Sequence, residues 1–127
     1  MALPADLPQD YDGLINAGNK QMDDGQFLLA AEIYRRALEI DPRSPDARTD
    51  YGACLYAMGL PERALEEFLK VVEAHPRHEV AMFNIGIVYH GQAQMDSARV
   101  YWERYLNIAP DGASAPTARQ LLKELEG

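Results

Sequence analysis

The sequence predicts an all-α protein built as a stack of repeated helical hairpins, and three observations predict it. The first is a set of columns. Gly18, Gly52 and Gly86 stand 34 residues apart, as do Ala30, Ala64 and Ala98, the aromatics Tyr34, Phe68 and Trp102, and the prolines Pro42, Pro76 and Pro110. The second is punctuation, with glycine or proline closing successive apolar stretches at matching places. The third is helical spacing inside those stretches: Leu28, Ala31, Tyr34 and Leu38, with Ala30 and Ala37, fall three and four apart on one face. The columns agree without an inserted or deleted residue, so three copies of one unit fill most of the chain.

Residues 1–10 hold two prolines and two aspartates with no helical period, and they read as an extended leader. Asp10 is placed to cap a first helix over about Tyr11 to Asp24, with Asp12 in its first turn. Gly25 breaks that helix. A second runs from about Phe27 to Ile40 and ends at Asp41-Pro42, because the residue before proline is pushed out of helical geometry. In the next copy Ser44 caps and Pro45 takes the first helical position, where its missing donor costs nothing. That helix reaches about Met58, Gly59 stops it, and Pro61 starts another that ends before His75-Pro76. The third copy follows the same plan, with helices at about Glu79 to Gly91 and Met95 to Ala109. A last helix, about Ser114 to Glu126, sets Ala118, Leu121, Leu122 and Leu125 against a polar face, as expected of a cap on a repeat stack. The expected segments are residues 11–44, 45–78 and 79–112 as repeats and 113–127 as the cap.

A 34-residue period with an early glycine, then an alanine and an aromatic, then a closing proline resembles the tetratricopeptide repeat, TPR, from Tyr11 to Gly112. The resemblance implies an α-solenoid of about seven antiparallel helices coiled into a right-handed superhelix. The first repeat departs from the family where Ala17 and Gln21 replace a leucine and a tyrosine, so its first helix is expected to be the least stable. The glycine and alanine columns are expected where paired helices approach closely, since a glycine inside a helix costs ~1 kcal/mol against alanine and packing must offset it. The aromatic column is expected to fill the space between neighbouring repeats.

By the same resemblance, first helices of successive repeats line a concave groove that receives a peptide or a helix. The groove positions are Asp12, Ile15, Asn19, Met22 and Asp23, then Asp46, Thr49, Ala53, Tyr56 and Ala57, then Val80, Phe83, Ile87, His90 and Gly91. They are acidic and polar at one end and apolar and aromatic at the other. The family's carboxylate clamp grips an acidic chaperone C-terminal tail with two lysines, an arginine and two asparagines. At those positions stand Ile15, Asn19, Asp50, Val80 and Asn84, of which only Asn19 matches. An acidic tail would meet Asp50 and no cation. The expected partner is a protein or peptide with apolar anchors and a basic part. The leader, with Leu3 and Leu7 four apart, is a further candidate occupant of its own or a neighbour's groove.

Composition narrows the field. A net charge of −8 and a pI near 4.7 exclude nucleic acid and anionic membrane as natural partners, and no apolar run is long enough for direct membrane insertion. Cys54 is the single cysteine, so no intrachain disulfide forms, and it reads as a small buried thiol. His75 and His78 flank Pro76-Arg77 without a third ligand and read as residues near the end of the preceding helix. Neither a metal nor a cofactor is expected. No nucleophile, base and carboxylate fall together, and the run Glu62 to Glu67 reads as a solvated face, so an enzyme is not expected. The expectation is a scaffold or adaptor of the kind found in bacterial complex assembly. The alternative is a structural module acting through self-association or its convex face. A native start at Met1 would make the chain cytoplasmic, and a longer parent would allow a membrane-tethered or exported one.

Overall fold

The computed structural model describes residues 3–127, which contain seven α-helices and no strand. They are α1 (Tyr11–Asp23), α2 (Phe27–Ile40), α3 (Pro45–Ala57), α4 (Pro61–Ala74), α5 (Glu79–Gly91), α6 (Met95–Ile108) and α7 (Ala115–Glu126). The chain divides into two compact units, one ending at Glu67 and one from Phe68 to Gly127.

Local chemistry accounts for the helix ends. The Asp10 carboxylate accepts from the Gly13 amide at 3.1 Å, and the Ser44 hydroxyl accepts from Ala47 at the same distance, with Pro45 following as the first helical residue. At the ends of α1, α3 and α5 the chain turns through a left-handed residue, at Gly25 (φ 76°), Gly59 (φ 77°) and Ala93 (φ 60°). These positions are again 34 apart. Each is followed by an amide that reaches back five residues in the pattern of a Schellman motif: Gln26 to the Gln21 carbonyl, Leu60 to Leu55, and Gln94 to Tyr89, at 2.8 to 3.0 Å. In the third copy an alanine occupies the conformation that glycine adopts without strain.

His78 does not belong to the preceding helix. Its Nδ1 accepts the Ala81 amide at 3.2 Å and so caps the N-terminus of α5, a task the other copies give to Asp10 and Ser44. Glu67 is likewise not a solvated charge, because Arg48 meets it at 2.9 Å with both side chains largely covered. The same arginine donates to the Pro42 carbonyl at 3.0 Å, and Arg119 donates to the Pro110 carbonyl at 2.6 Å. Two of the column prolines thus present a carbonyl that a later arginine closes.

In the unit ending at Glu67, the core lies between α1, α2 and α3. Tyr34 is buried with Ala30, Ala31 and Cys54, and Leu14, Ile33 and Ala37 form a second cluster. In the unit from Phe68, Trp102 and Tyr105 are buried with Met82, Ala98, Ala115 and Ala118, and α7 lays Leu121, Leu122 and Leu125 against them. Leu28 departs from the apolar face expected of α2 and is exposed.

Tyr34 and Trp102 of the aromatic column each rest on the glycine of their own repeat, and Tyr34 also packs against Cys54 of the next. A Cβ added at Gly18 would lie 2.5 Å from the Tyr34 ring, and one at Gly86 would collide with the Trp102 indole. The helix penalty of each glycine is offset by seating a large ring against bare backbone.

Candidate functional site

The structure sorts the first-helix positions into those that project from the surface and those used by the core. Tyr56 on α3 is 38% exposed and Val80 on α5 is 57% exposed, two large apolar side chains left at the surface. Asp12 and Asp23 on α1 and Asp46 on α3 are exposed as well. Phe83 and Ile87 are half-buried against the α5–α6 cluster, with the Phe83 ring 5.5 Å from Tyr105 and 6.4 Å from Trp102. His90 is half-buried with its ring 5.5 Å from Trp102. These three present an edge to the surface while their bodies complete the core.

Thr49, expected along the groove, is buried. It is 2% exposed, and its hydroxyl donates to the Pro45 carbonyl at 2.7 Å, so its one donor is satisfied within α3. A threonine one turn from a carbonyl on its own helix bonds back to it readily.

Asn19, the one match to the clamp, has its side-chain oxygen engaged: the Tyr34 hydroxyl donates to it at 2.6 Å. Burial pushes the Tyr34 phenol well up, and the nearby charges of Asp50, Cys54 and Asp23 push the same way, so the hydroxyl keeps its proton and remains a donor. In the third repeat the ring at the equivalent column is satisfied by backbone, Trp102 Nε1 donating to the Phe83 carbonyl at 3.2 Å. Sequence spacing did not reveal either bond, although each ring's polar atom was bound to need a partner once buried.

Cys54 is fully buried, with Sγ 3.4 Å from the Met22 sulfur. Burial, then Asp50, raises its thiol to about 12, which makes it inert at neutral pH. Among the described residues no group of three histidine, cysteine or acidic side chains is placed to hold a metal.

Charge is unevenly placed. Residues up to Glu67 hold thirteen of the twenty acidic side chains and six of the twelve basic ones, so the acidity of the chain lies almost wholly in the first unit. No helix among the described residues is long and apolar enough to cross a membrane.

Leu3 and Leu7 of the leader are partly buried against the cluster of Leu14, Ile33 and Ala37, which Tyr11 and the groove position Ile15 also join.

Two family models, each described as tetratricopeptide repeat, match the chain over residues 21–82 and 55–113. Among curated proteins, the probable UDP-N-acetylglucosamine–peptide N-acetylglucosaminyltransferase SPINDLY of Hordeum vulgare is 28% identical over 104 residues, 76% of this chain and 11% of its own length. Four other relatives are likewise matched over only 8% to 17% of their length, so the chain spans a small part of most of them. Among solved structures, the first TPR of Spaghetti (RPAP3) bound to the HSP90 peptide SRMEEVD superposes with a TM-score of 0.84 at 18% identity, over 97% of this chain and 96% of that one. At that identity the likeness is one of fold. YrrB, described as a TPR protein with an unusual peptide-binding site, superposes with a TM-score of 0.79 at 27% identity, over 89% of this chain and 58% of that one.

Proposed function

Because the chain belongs to the tetratricopeptide repeat family, we propose that it is a non-catalytic adaptor that docks a segment of a partner protein on the first helices of its repeats. The observation that carries this reading is that each unit leaves a large apolar side chain of a first helix at its own surface, Tyr56 in the first and Val80 in the second. Side chains of this kind act as anchors when a partner covers them. Of the solved proteins of the same fold, one is described with a bound peptide and another with a peptide-binding site, which supports a binding role of this type.

The chemistry of the partner follows from the charges. Asp12, Asp23 and Asp46 favour a basic stretch, and Tyr56, Val80 and the exposed edges of Phe83 and Ile87 favour apolar side chains. An acidic tail of the kind held by a carboxylate clamp is disfavoured. The lysines and arginine of the clamp are replaced by Ile15, Val80 and Asn84, and Asn19 Oδ1 already serves Tyr34.

Selection from a random peptide library on the immobilised chain tests the reading, run in parallel on a Tyr56→Ala/Val80→Ala variant. Both side chains are exposed, so the variant should fold as the parent does. Peptides that combine Lys or Arg with Leu, Phe or Trp should be enriched on the parent and lost on the variant. Enrichment of acidic C-termini, or identical selections on both proteins, would contradict it.

A second reading, assembly through the second helices, is favoured by exposed Leu28 and Ile40 on α2 and by Met95 and Val100 on α6. A mass that rises with concentration and falls on Leu28→Ser or Val100→Ser would support it.

A further inference from the structure

The leader is a repeated motif: Leu3-Pro4-Ala5-Asp6 is followed at once by Leu7-Pro8-Gln9-Asp10, so Leu-Pro-x-Asp occurs twice in eight residues. The structure gives its leucines and prolines a seat. Both leucines join the apolar cluster on Leu14, Ile33 and Ala37. The Leu7 amide donates to the Pro4 carbonyl at 3.2 Å, which folds the first motif into a turn. Pro8 lies on Gly13 so closely that a Cβ there would come within 2.6 Å of the proline Cβ. Asp10 then ends the segment as the cap of α1. Between the leader and α2 remains a cleft of about 380 Å³, rimmed by Arg36, Glu39 and Ile40, so the segment does not fill the space available to it.

The seating is specific in shape and light in hold. Two half-buried leucines and one backbone hydrogen bond provide little affinity by themselves, and the covalent tether supplies the rest by holding the segment at an effective concentration in the mM range. Prolines keep such a segment close to its bound shape and lower the entropy lost on docking.

We propose that the face of the first repeat carrying Leu14, Ile33 and Ala37 is a second peptide-binding site, selective for Leu-Pro-x-x-Leu-Pro segments. The leader occupies it as a tethered ligand. A partner bearing the same motif enters by displacing the leader, and the unfilled cleft beside Ile40 gives it room to begin. This site uses none of Asp12, Asp23, Asp46, Tyr56 and Val80, so it stands or falls independently of them.

The test uses the full chain and a fluorescein-labelled peptide copying residues 3–10, read by anisotropy. In a Leu3→Ser/Leu7→Ser variant the leader is released, and the peptide should bind at least ~10-fold more tightly than to the parent, where the tethered copy competes. Adding Gly13→Ala to that variant should abolish binding, because the new methyl group occupies the seat of Pro8. The single change Leu3→Ser, which leaves Leu7 in place, guards against unfolding and should give an intermediate gain. Equal binding to parent and released variant, no binding to either, or indifference to Gly13→Ala would overturn the proposal. So would dimerisation of the released variant without peptide binding, which would assign the face to a second copy.

Discussion

The first and third repeats share their columns in one register and differ in how they satisfy the polar atom of the aromatic. In the first, the Tyr34 hydroxyl takes the side chain of Asn19. In the third, the Trp102 indole takes a main-chain carbonyl, at Phe83. A backbone partner is available whatever the sequence of α5. A side-chain partner removes a polar group from the very helix face where the family places its ligand contacts. The columns therefore fix the geometry of a repeat, while the small polar choices around them decide what its first helix still offers. The first repeat offers carboxylates, and the third offers Val80 and the edges of Phe83, Ile87 and His90.

The largest expected effect separates ring from glycine. Trp102→Ala should destabilise by ~3 to 5 kcal/mol, because it empties the centre of the cluster that α5, α6 and α7 share. Urea unfolding followed by circular dichroism measures it, and a loss below ~1 kcal/mol would mean that the third repeat does not depend on the seating described. Tyr34→Phe is a smaller and sharper probe. It keeps the ring on Gly18 and removes only the bond to Asn19, so it should cost ~1 kcal/mol. It should also free the side-chain oxygen of the exposed Asn19 without creating binding of acidic peptides, since the clamp cations are still missing.

The turns after α1, α3 and α5 allow the repeats to be compared at one position. Ala93→Gly should stabilise by up to ~1 kcal/mol, because it relieves a left-handed alanine. Gly59→Ala should lose a similar amount. If both changes are neutral, the turn does not carry the strain assigned to it.

Cys54 tests the packing of the first unit by pH. Its thiol is raised from an ordinary 9.0 to about 12, so the unfolded chain releases this proton first as pH rises. The stability it contributes is complete below about pH 9 and is lost as pH climbs toward 12. The stability difference between parent and Cys54→Ala should shrink over that range. Alkylation by iodoacetamide at pH 8 should proceed only through opening of the fold. The smallest effect belongs to Tyr56→Ala/Val80→Ala, which should shift stability by less than ~0.5 kcal/mol for each side chain.

Helix order and boundaries were legible because each signal is local: Asp10 and Ser44 cap, Pro45 starts, and Gly25 and Gly59 turn the chain. The tetratricopeptide repeat itself was legible because its columns survive in every copy. What escaped the sequence depended on contacts between distant residues or on one residue doing another's work. Ala93 holds a glycine's conformation under the same hydrogen bonds that close the other turns. His78 caps a helix because its neutral imidazole can accept where serine or aspartate usually does. Thr49 has the spacing of a surface position, yet its hydroxyl turns back to Pro45. The leader's seat depends on Gly13 being bare, which no period in the chain marks.

The most direct test of the docking account is amide chemical-shift mapping with a library-selected peptide that carries both basic and aromatic residues. Shifts are expected on α1, α3 and α5, centred near Asp12, Asp23, Asp46, Tyr56, Val80 and Ile87, with affinity falling as salt is raised. Shifts confined to α2 and α6 would contradict this and place recognition on the second helices.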